Sequence, residues 1–269
     1  MAGRETYNDL PTHVIGHGEG AARTRSVALE VPLALTYNGI AHVVMMVTPK
    51  NLKDFAVGFS FSEGIIEKLK DIEEITIRGD EGSFIADIWI NKTLHAKLLK
   101  KRRNLVGQTG CGVCGIAELA DLKRVYPKVV TPPAYTKAQL FDVLDALQRH
   151  QSINAATGAV HGAAFMAKHG AIVAVREDVG RHNALDKLIG HLKQSNIPHT
   201  HGAIILTSRC SFELVQKVIA ASVPMLVTVS APTTLAVSIA KEHALTLICL
   251  ARSDEMLAFN DPYGVLDKL

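Results

Sequence analysis

Two cysteines separated by two residues form the most chemically specific feature of the sequence. Cys111 and Cys114 lie in the run Thr109-Gly-Cys-Gly-Val-Cys-Gly115, in which three glycines flank and divide the pair. Glycine allows close backbone approach, and the exposed amides of such a loop stabilise an anionic sulfur. A C-x-x-C context and nearby cations lower a thiol pKa from about 8.5 to about 7 or below, which makes thiolate available at neutral pH. The motif predicts a reactive thiol that carries sulfur or electrons.

Two other interpretations of the cysteine pair stay open, namely half of a zinc site and a structural pair. Zinc is disfavoured because it needs four ligands, and Cys210 and Cys249 are isolated singles in the sequence. A thioredoxin-like motif is disfavoured because it ends a strand and opens a helix, whereas this pair lies in a Gly-rich connector. The preceding basic run, residues 97–103, is interpreted as a solvated face or as a docking surface for an acidic partner or for cofactor phosphates.

Polar clusters follow three predicted strands in the second half of the chain, at residues 177–183, 207–209 and 230–234. In an open α/β sheet, ligands bind beyond the carboxyl ends of the strands, where helix N-termini offer free amides and a positive dipole to phosphate. We therefore expect the clusters to converge on a phosphate or pyrophosphate, with ordinary helix capping as the alternative for each cluster alone. The candidate ligands are Arg181, Ser208, Arg209, Thr233 and Thr234.

Three histidines have a structural interpretation by default. His161 lies inside the apolar run 159–165, where a histidine is most often a hydrogen-bonded core residue. A titratable group on a strand that faces the same crevice is also able to orient a ligand, so this role stays open for His161. The cases for His182 and His243 are similar or weaker.

The N-terminal part of the chain predicts a small α+β unit. Asn38-Gly39 joins two apolar or β-branched runs and is the strongest short hairpin signal, because both turn positions need positive φ. Thr48-Pro49 predicts an N-cap and a first-turn proline. Residues 1–25 are polar and Gly-rich, and we expect a flexible tail there. The predicted elements are a hairpin of residues 30–37 and 40–47, a helix from Thr48 to Gly64, and strands at 72–78 and 83–90.

The C-terminal part predicts a three-layer α/β/α domain. Runs such as 203–206 and 225–229 are apolar on both faces, as a sheet covered by helices on each side requires. Pro132-Pro133 indicates a linker, so we place the N-terminal domain at 26–130 and the second domain at 131–269. The predicted strands are 159–167, 171–176, 202–208, 224–229 and 245–251, and the helices are 137–150, 182–193, 211–222 and 232–243.

Composition excludes several classes of protein. The chain has 269 residues, 48% of them hydrophobic and 20% charged, which is typical of a globular protein. A net charge of +3 is too near balance for wholesale nucleic-acid binding. The uncharged stretch at residues 220–240 contains two prolines and turn residues and fails as a membrane span. We see no secretory signal, and four cysteines fit a reducing compartment, so we expect a cytoplasmic protein.

With these residues in hand, the sequence resembles the formate dehydrogenase accessory sulfurtransferase family (FdhD). The resemblance runs from about residue 26 to 262, and the order and combination of its segments are highly specific. The matching segments are residues 30–39, 58–66, 109–115, 177–187 and 230–237.

The resemblance implies a function and a set of partners. It implies that Cys111 bears a persulfide received from a cysteine desulfurase, with Cys114 as its companion in relay or protection. The sulfur is delivered to the molybdenum bis(molybdopterin guanine dinucleotide) cofactor, which activates formate dehydrogenase. The resemblance also implies a homodimer with a cytidine-deaminase-like C-terminal domain. Deaminase chemistry is not expected, because the His-x-Glu and Pro-Cys-x-x-Cys zinc pattern is missing.

The family also places cofactor binding after the last long strand. Here that segment is Leu250, Ala251, Arg252, Ser253, Asp254 and Glu255. The sequence departs from many relatives at 253–255, where it has acidic groups in place of a Gly-rich stretch that ends in arginine. Two rival functions stay open, namely a non-catalytic chaperone that binds the molybdenum cofactor and a thiol-disulfide oxidoreductase that cycles through a Cys111–Cys114 disulfide.

Overall fold

A computed structural model describes residues 5–15, 21–80, 82–106, 128–133, 135–195 and 197–266. The described residues form a two-stranded ribbon, a four-stranded sheet and a six-stranded sheet. None of the helices in these ranges is both long enough and apolar enough to cross a membrane.

The ribbon pairs strand β1 (Tyr7–His13) with strand β2 (Ala22–Ala28) in antiparallel register. Backbone pairing does not depend on apolar side chains, so a polar sequence forms this ribbon while most of its side chains stay exposed. The guanidinium of Arg25 donates a hydrogen bond to the carbonyl of Thr157 at 3.2 Å. Residues 7–13 and 22–25 thus lie in paired strands, in a stretch for which the sequence analysis expected a flexible tail.

The four-stranded sheet begins with the predicted hairpin, β3 (Val31–Tyr37) and β4 (Ile40–Val47). Its two turn residues, Asn38 and Gly39, have φ values of 49° and 78°, which confirms the turn expected from their types. The strands β5 (Ile72–Gly79) and β6 (Phe84–Ile90) complete the sheet in the order β4-β3-β6-β5, and helix α2 (Lys92–Val106) follows.

Helix α1 (Leu52–Ser62) covers one face of this sheet. It begins three residues after the predicted Pro49 position, with Asn51 as its N-cap at a φ of 56°. Thr48 does not cap the helix, because its hydroxyl accepts a hydrogen bond from the backbone N–H of Val179 at 3.2 Å. The predicted start of α1 was wrong because Thr48 bonds to a residue of the second half of the chain instead of capping the helix.

The six-stranded sheet has the order β12-β11-β10-β9-β7-β8, with β9, β10 and β11 parallel and the other pairings antiparallel. All nine predicted elements are present, and the sequence analysis missed only the short helix α4 and the edge strand β12 in this part of the described chain. Their bounds are α3 (Lys137–His150), α4 (Ser152–Thr157), β7 (His161–Met166), β8 (Ile172–Asp178), α5 (Arg181–Gln194), β9 (Ala203–Leu206), α6 (Phe212–Ala220), β10 (Met225–Thr228), α7 (Thr234–Glu242), β11 (Thr246–Cys249) and β12 (Leu257–Asn260).

Helices cover both faces of this sheet, as predicted. Alternate strand residues such as Ile204 and Leu226 pack against α5, α6 and α7, whereas Ile205 and Val227 pack against α3. The period of two along each strand sends its apolar side chains into two separate cores. The protein is therefore a mixed α/β structure with a three-layer C-terminal part, and its specific likeness to cytidine deaminases stays a prediction.

Two glycines bring the halves of the chain together. A Cβ atom on Gly58 of α1 would lie 1.7 Å from the carbonyl oxygen of Asp186, and one on Gly190 of α5 would lie 1.9 Å from that of Asp54. Real Cβ atoms do not approach backbone so closely, so only glycine permits this helix contact. The packed layers are therefore, in order, the four-stranded sheet, helix α1, helix α5 and the six-stranded sheet.

We predict that Gly190→Ala destabilises the protein by about 3 kcal/mol, the upper end of the usual cost of overpacking. Alanine has the higher helix propensity by about 1 kcal/mol, so a loss of stability would report the steric clash and not the helix itself. Urea unfolding measures the change. Gly82→Ala is the control, because its Cβ would meet nothing nearer than 3.6 Å, and a change within about 0.5 kcal/mol is expected there. Equal effects of the two substitutions would contradict the prediction.

Candidate functional site

The carboxyl ends of four strands meet at one edge of the six-stranded sheet. Strands β9, β10 and β11 are parallel, and β8 runs in the same direction because β7 is antiparallel to both β8 and β9. The predicted clusters after β8, β9 and β10 and the segment 250–255 after β11 therefore follow strand ends at the same edge, as the sequence indicates.

A cleft of about 840 Å³ opens at this edge, on the face that α3 covers. Its volume falls within the range of roughly 300 to 1,000 Å³ that is usual for ligand sites. Apolar side chains of α3 and the strand ends contribute part of its lining. The polar lining residues are Asp145, Gln148, Gln151, Asn154, Thr207, Arg252 and Ser253.

The segment after β11 divides its side chains between two cavities. Leu250 adopts a left-handed φ of 53°, and the backbone N–H of Arg252 bonds the carbonyl of Glu255 at 2.9 Å. Within this turn, Ala251, Arg252 and Ser253 line the cleft. Asp254 and Glu255 line a second cavity of about 420 Å³ instead. The acidic residues that depart from the family pattern therefore do not face the cleft.

The predicted ligands of the other clusters do not line this cleft. Arg181 is the first residue of α5, and Ser208 and Arg209 precede α6, and these two helices cover the opposite face of the sheet. Ser208 is buried and donates a hydrogen bond to the carbonyl of Arg209 at 3.1 Å. Thr233 accepts a bond from the N–H of Ala236 as the N-cap of α7, which is the capping alternative left open by the sequence.

The surroundings of two histidines at this edge disfavour their charged form. Burial, together with the charges of Arg181 and Lys217, lowers the pKa of His182 to about 4. Burial and the same arginine also lower the pKa of His161. Nε2 of His182 lies 4.0 Å from Glu213, and an uncharged ring at that distance makes no ion pair. Both pKa shifts therefore work against a positive charge on these histidines.

Several cleft residues carry no motif that sequence reasoning recognises. Gln151 and Asn154 follow the predicted helix α3 in a stretch where no element was expected, and Asp145 is one of several charges on that helix. Thr207 belonged to a predicted cluster, and its hydroxyl accepts a bond from the N–H of Gly162 at 2.9 Å. Only the topology, with α3 and α4 beside the strand ends, brings these residues together.

The cluster after β8 mainly joins the two halves of the chain. Nζ of Lys187 lies 2.6 Å from Oδ2 of Asp178, and both side chains are fully buried. That carboxylate also accepts the N–H of Thr48 at 3.0 Å, and Lys187 donates to the carbonyl of Thr48 at 2.9 Å. Burial lowers the pKa of Lys187, and Asp178 opposes that shift. These groups stabilise an internal contact and are not available to a ligand.

A second buried ion pair lies beside the first. Nζ of Lys217 lies 2.7 Å from Asp186 and 3.3 Å from Glu63. Ser62 of α1 donates to the same Asp186 carboxylate at 2.6 Å. Burial opposes the charge of Lys217, but the carboxylates of Asp186 and Glu63 outweigh it and raise its pKa. The side chains of residues 62 and 63 thus connect α1 to α5 and α6.

Glu177 connects this interface to the cleft. Its two carboxylate oxygens accept the backbone N–H groups of Ile153 and Asn154 at 3.1 and 2.8 Å, at the N-terminus of α4. A carboxylate satisfies amides that a helix start leaves without partners. Because Asn154 and Ala155 line the cleft, Glu177 is a residue that positions the cleft wall.

The four cysteines divide into two pairs. Cys210 and Cys249 are isolated in the sequence but contact each other in the structure, where both are buried. The contact with Cys249, together with burial, raises the pKa of the Cys210 thiol. In the ranges that the structure describes, no three His, Cys, Asp or Glu residues are grouped so as to hold a metal ion. Cys111 and Cys114 lie outside the described residues.

Comparison with known proteins assigns the chain to a family. The sequence model of the FdhD/NarQ family matches residues 28–265. The chain belongs to the FdhD/NarQ family. The match includes the cysteine pair, the cleft residues and the buried interface, which confirms the resemblance seen in the sequence.

Individual FdhD/NarQ relatives match over nearly their full length. Sulfur carrier protein FdhD of Variovorax paradoxus is 44% identical over 246 residues, covering 88% of this chain and 85% of the relative. The protein of that name from Xanthomonas euvesicatoria is 43% identical, covering 91% and 87%. A crystal structure described as that of a formate dehydrogenase accessory protein from Desulfotalea psychrophila has a TM-score of 0.76 at 24% identity, covering 96% and 99%. That likeness supports the fold.

We predict that Lys187→Met destabilises this FdhD/NarQ protein by about 3 to 5 kcal/mol, because it leaves the Asp178 carboxylate buried without a counter-charge. The free energy of unfolding, measured in urea, checks this. A double-mutant cycle adds a control. Asp178→Asn should lower the free energy of unfolding less in the Lys187→Met background than in the wild type, because the carboxylate that it removes no longer has a partner there. Strictly additive effects would show that the two groups are not coupled.

Proposed function

We propose that this chain is a sulfur carrier for formate dehydrogenase. In this function it takes persulfide sulfur from a cysteine desulfurase and delivers it to the molybdenum bis(molybdopterin guanine dinucleotide) cofactor of that enzyme. The observation that carries the proposal is membership of the FdhD/NarQ family, together with relatives above 40% identity that are named sulfur carrier proteins. The cleft beside Arg252 supports the cofactor part of the proposal.

The proposed sulfur step is a thiol exchange at Cys111. The Cys111 thiolate attacks the terminal sulfur of the donor persulfide, a new S–S bond forms at Cys111, and the donor cysteine leaves as thiolate. Cys114, three residues on, is the companion that relays or protects this sulfur. The glycines of this C-x-x-C segment suit the exchange, because they allow close backbone approach to the reacting sulfur.

The cleft is proposed to hold one guanine nucleotide arm of the cofactor. Arg252 and Ser253 offer a cation and a hydroxyl to phosphate, and Asp254 and Glu255 face the other cavity. The donor set therefore fits an anionic nucleotide at this end. Binding energy from such a remote group positions the reacting centre against the sulfur carrier, as remote binding does in catalysis generally.

The remaining parts of the proposal rest on the family resemblance. We propose a cytoplasmic homodimer that contacts both the desulfurase and formate dehydrogenase, with a C-terminal domain of the cytidine-deaminase kind. The proposal includes no metal of its own for the protein, and the molybdenum cofactor is its cargo.

We predict that wild-type protein gains the mass of one sulfur atom when it is incubated with a cysteine desulfurase and cysteine. The gain should be reversed by thiol, be lost in Cys111→Ala and persist in Cys249→Ala, whose buried thiol is the matched control. Intact-mass spectrometry gives the result. Activation of formate dehydrogenase by Cys111→Ala at the wild-type level would contradict sulfur carriage and support the cofactor-binding chaperone.

We predict that Arg252→Ala weakens binding of guanosine diphosphate by about tenfold, the effect of removing one charge-assisted hydrogen bond. Isothermal titration calorimetry gives the dissociation constants. Arg149→Ala is the control, because Arg149 is exposed on α3 and does not line the cleft. Equal affinities of all three proteins would remove Arg252 from the site.

A further inference from the structure

The four-stranded sheet ends at β5, an edge strand of eight residues. Its one neighbour is β6, and no strand lies on its outer side in the part of the chain that the structure describes. An edge strand offers a row of N–H and C=O groups to another strand, and natural proteins usually block such edges with prolines, bulges or lysines. The register of β5 shifts between Ile72 and Glu74, so residues 74–79 form a regular edge. This edge is open to a further strand.

The residues of this edge are complementary to their own reversed sequence. They read Glu74-Ile-Thr-Ile-Arg78. If two copies of β5 pair in antiparallel register about Thr76, each Glu74 lies opposite Arg78 of the second copy, and each Ile75 lies opposite Ile77. Opposite charges and β-branched side chains in directly opposed positions stabilise an antiparallel pair, whereas like charges there destabilise it. A two-fold axis relates the two strands, so one pairing satisfies both copies.

The side chains of β5 point in the directions that this pairing requires. Glu74 and Arg78 are exposed on the face that lies away from α1, and the side chain of Arg78 is 64% exposed. The two isoleucines between them are partly buried against the core on the other face. Glu74 accepts a bond from the Thr76 hydroxyl at 3.2 Å, and Arg78 lies 3.5 Å from Asp87. Such exposed contacts contribute little to stability, so these charges are free to exchange them for a partner strand.

The other edge strands of the two larger sheets do not share this pattern. Strands β4 and β12 contain no Asp, Glu, Lys or Arg. The charged residues Arg176 and Glu177 of β8 are used inside the chain, where they bond to Asp54 and to the N–H groups at the start of α4. Charge complementarity therefore distinguishes β5 and favours a second copy of this chain as its partner.

We propose that β5 is the contact surface between two copies of this chain. The two strands pair in antiparallel register about Thr76 and join the four-stranded sheets edge to edge into one continuous sheet. This inference rests on the homodimer of the proposed function and names the surface through which that homodimer forms. The contact is isologous, so the pairing of Glu74 with Arg78 of the second copy occurs twice in each dimer.

The test is the monomer–dimer equilibrium of the full chain, measured by sedimentation velocity in wild type and charge variants. Glu74→Arg places like charges opposite each other twice in the dimer and should weaken dimerisation about 10- to 100-fold. Arg78→Glu should weaken it to a similar extent for the same reason. Glu73→Arg is the matched control, because it makes the same change of charge at an exposed position that would face Gly79 of the second copy. This control should dimerise as the wild type does.

A mixture of the two weakened variants separates strand pairing from damage to the fold. The edge of Glu74→Arg carries two basic residues, and the edge of Arg78→Glu carries two acidic ones. A heterodimer of these variants therefore restores opposite charges at both positions. The mixture should dimerise about as tightly as the wild type, although neither variant does so alone.

The outcomes distinguish this inference from the rest of the proposed function. A wild type that stays monomeric would overturn both the β5 contact and the homodimer, whereas the gain of sulfur at Cys111 tests sulfur carriage separately. A wild-type dimer that Glu74→Arg and Arg78→Glu leave intact would overturn the β5 contact alone. Equal weakening by Glu73→Arg, or no recovery in the mixture, would also overturn it, because either result reports added charge or a damaged fold and not the pairing of these residues.

Discussion

The fully buried contact of Lys187 with Asp178 and Thr48 is the constraint on which the arrangement of the two halves depends. The ammonium and carboxylate lie 2.6 Å apart, and the backbone N–H and C=O of Thr48 complete their hydrogen bonds. A buried ion pair adds little net stability over apolar packing, but separating its members is very unfavourable. Thr48 follows the hairpin of the first sheet, so this pair fixes where that sheet can lie. The same two halves also meet where Gly58 of α1 packs against Gly190 of α5.

This arrangement gives a structural role to polar residues in and just after the predicted cluster 177–183. Polar residues at a strand end followed by a helix are typical of phosphate binding in α/β proteins, and the sequence contains no sign that α1 would cover them. The structure uses Asp178, Asp186 and Lys187 for internal pairing instead. Glu177 acts on the cleft only through α4, whose first amides it accepts. A residue of a polar cluster can therefore shape the wall of a cleft without lining it.

The fold was largely predictable because its signals are local. The Asn38-Gly39 turn and the alternating apolar runs of the second sheet each act over a few residues, and the structure confirms them. The start of α1 and the ribbon of β1 with β2 were not predictable, because long-range partners decide both: Val179 bonds Thr48, and backbone pairing holds a polar ribbon. For the cleft, the sequence analysis named Arg252 through the family resemblance, whereas Gln151 is placed by topology alone.

The turn after β11 shows how one short segment serves two cavities. Its backbone bond from Arg252 to Glu255 sends residues 252 and 253 into the cleft, and Asp254 and Glu255 line the other cavity. The residue types alone would have indicated that the positive charge of Arg252 is cancelled, because Asp254 and Glu255 follow it closely in the sequence. The geometry leaves the cation beside the cleft and the two acids outside it. A turn can thus keep two acidic residues out of a cleft although they follow directly, in the sequence, the arginine and serine that line it.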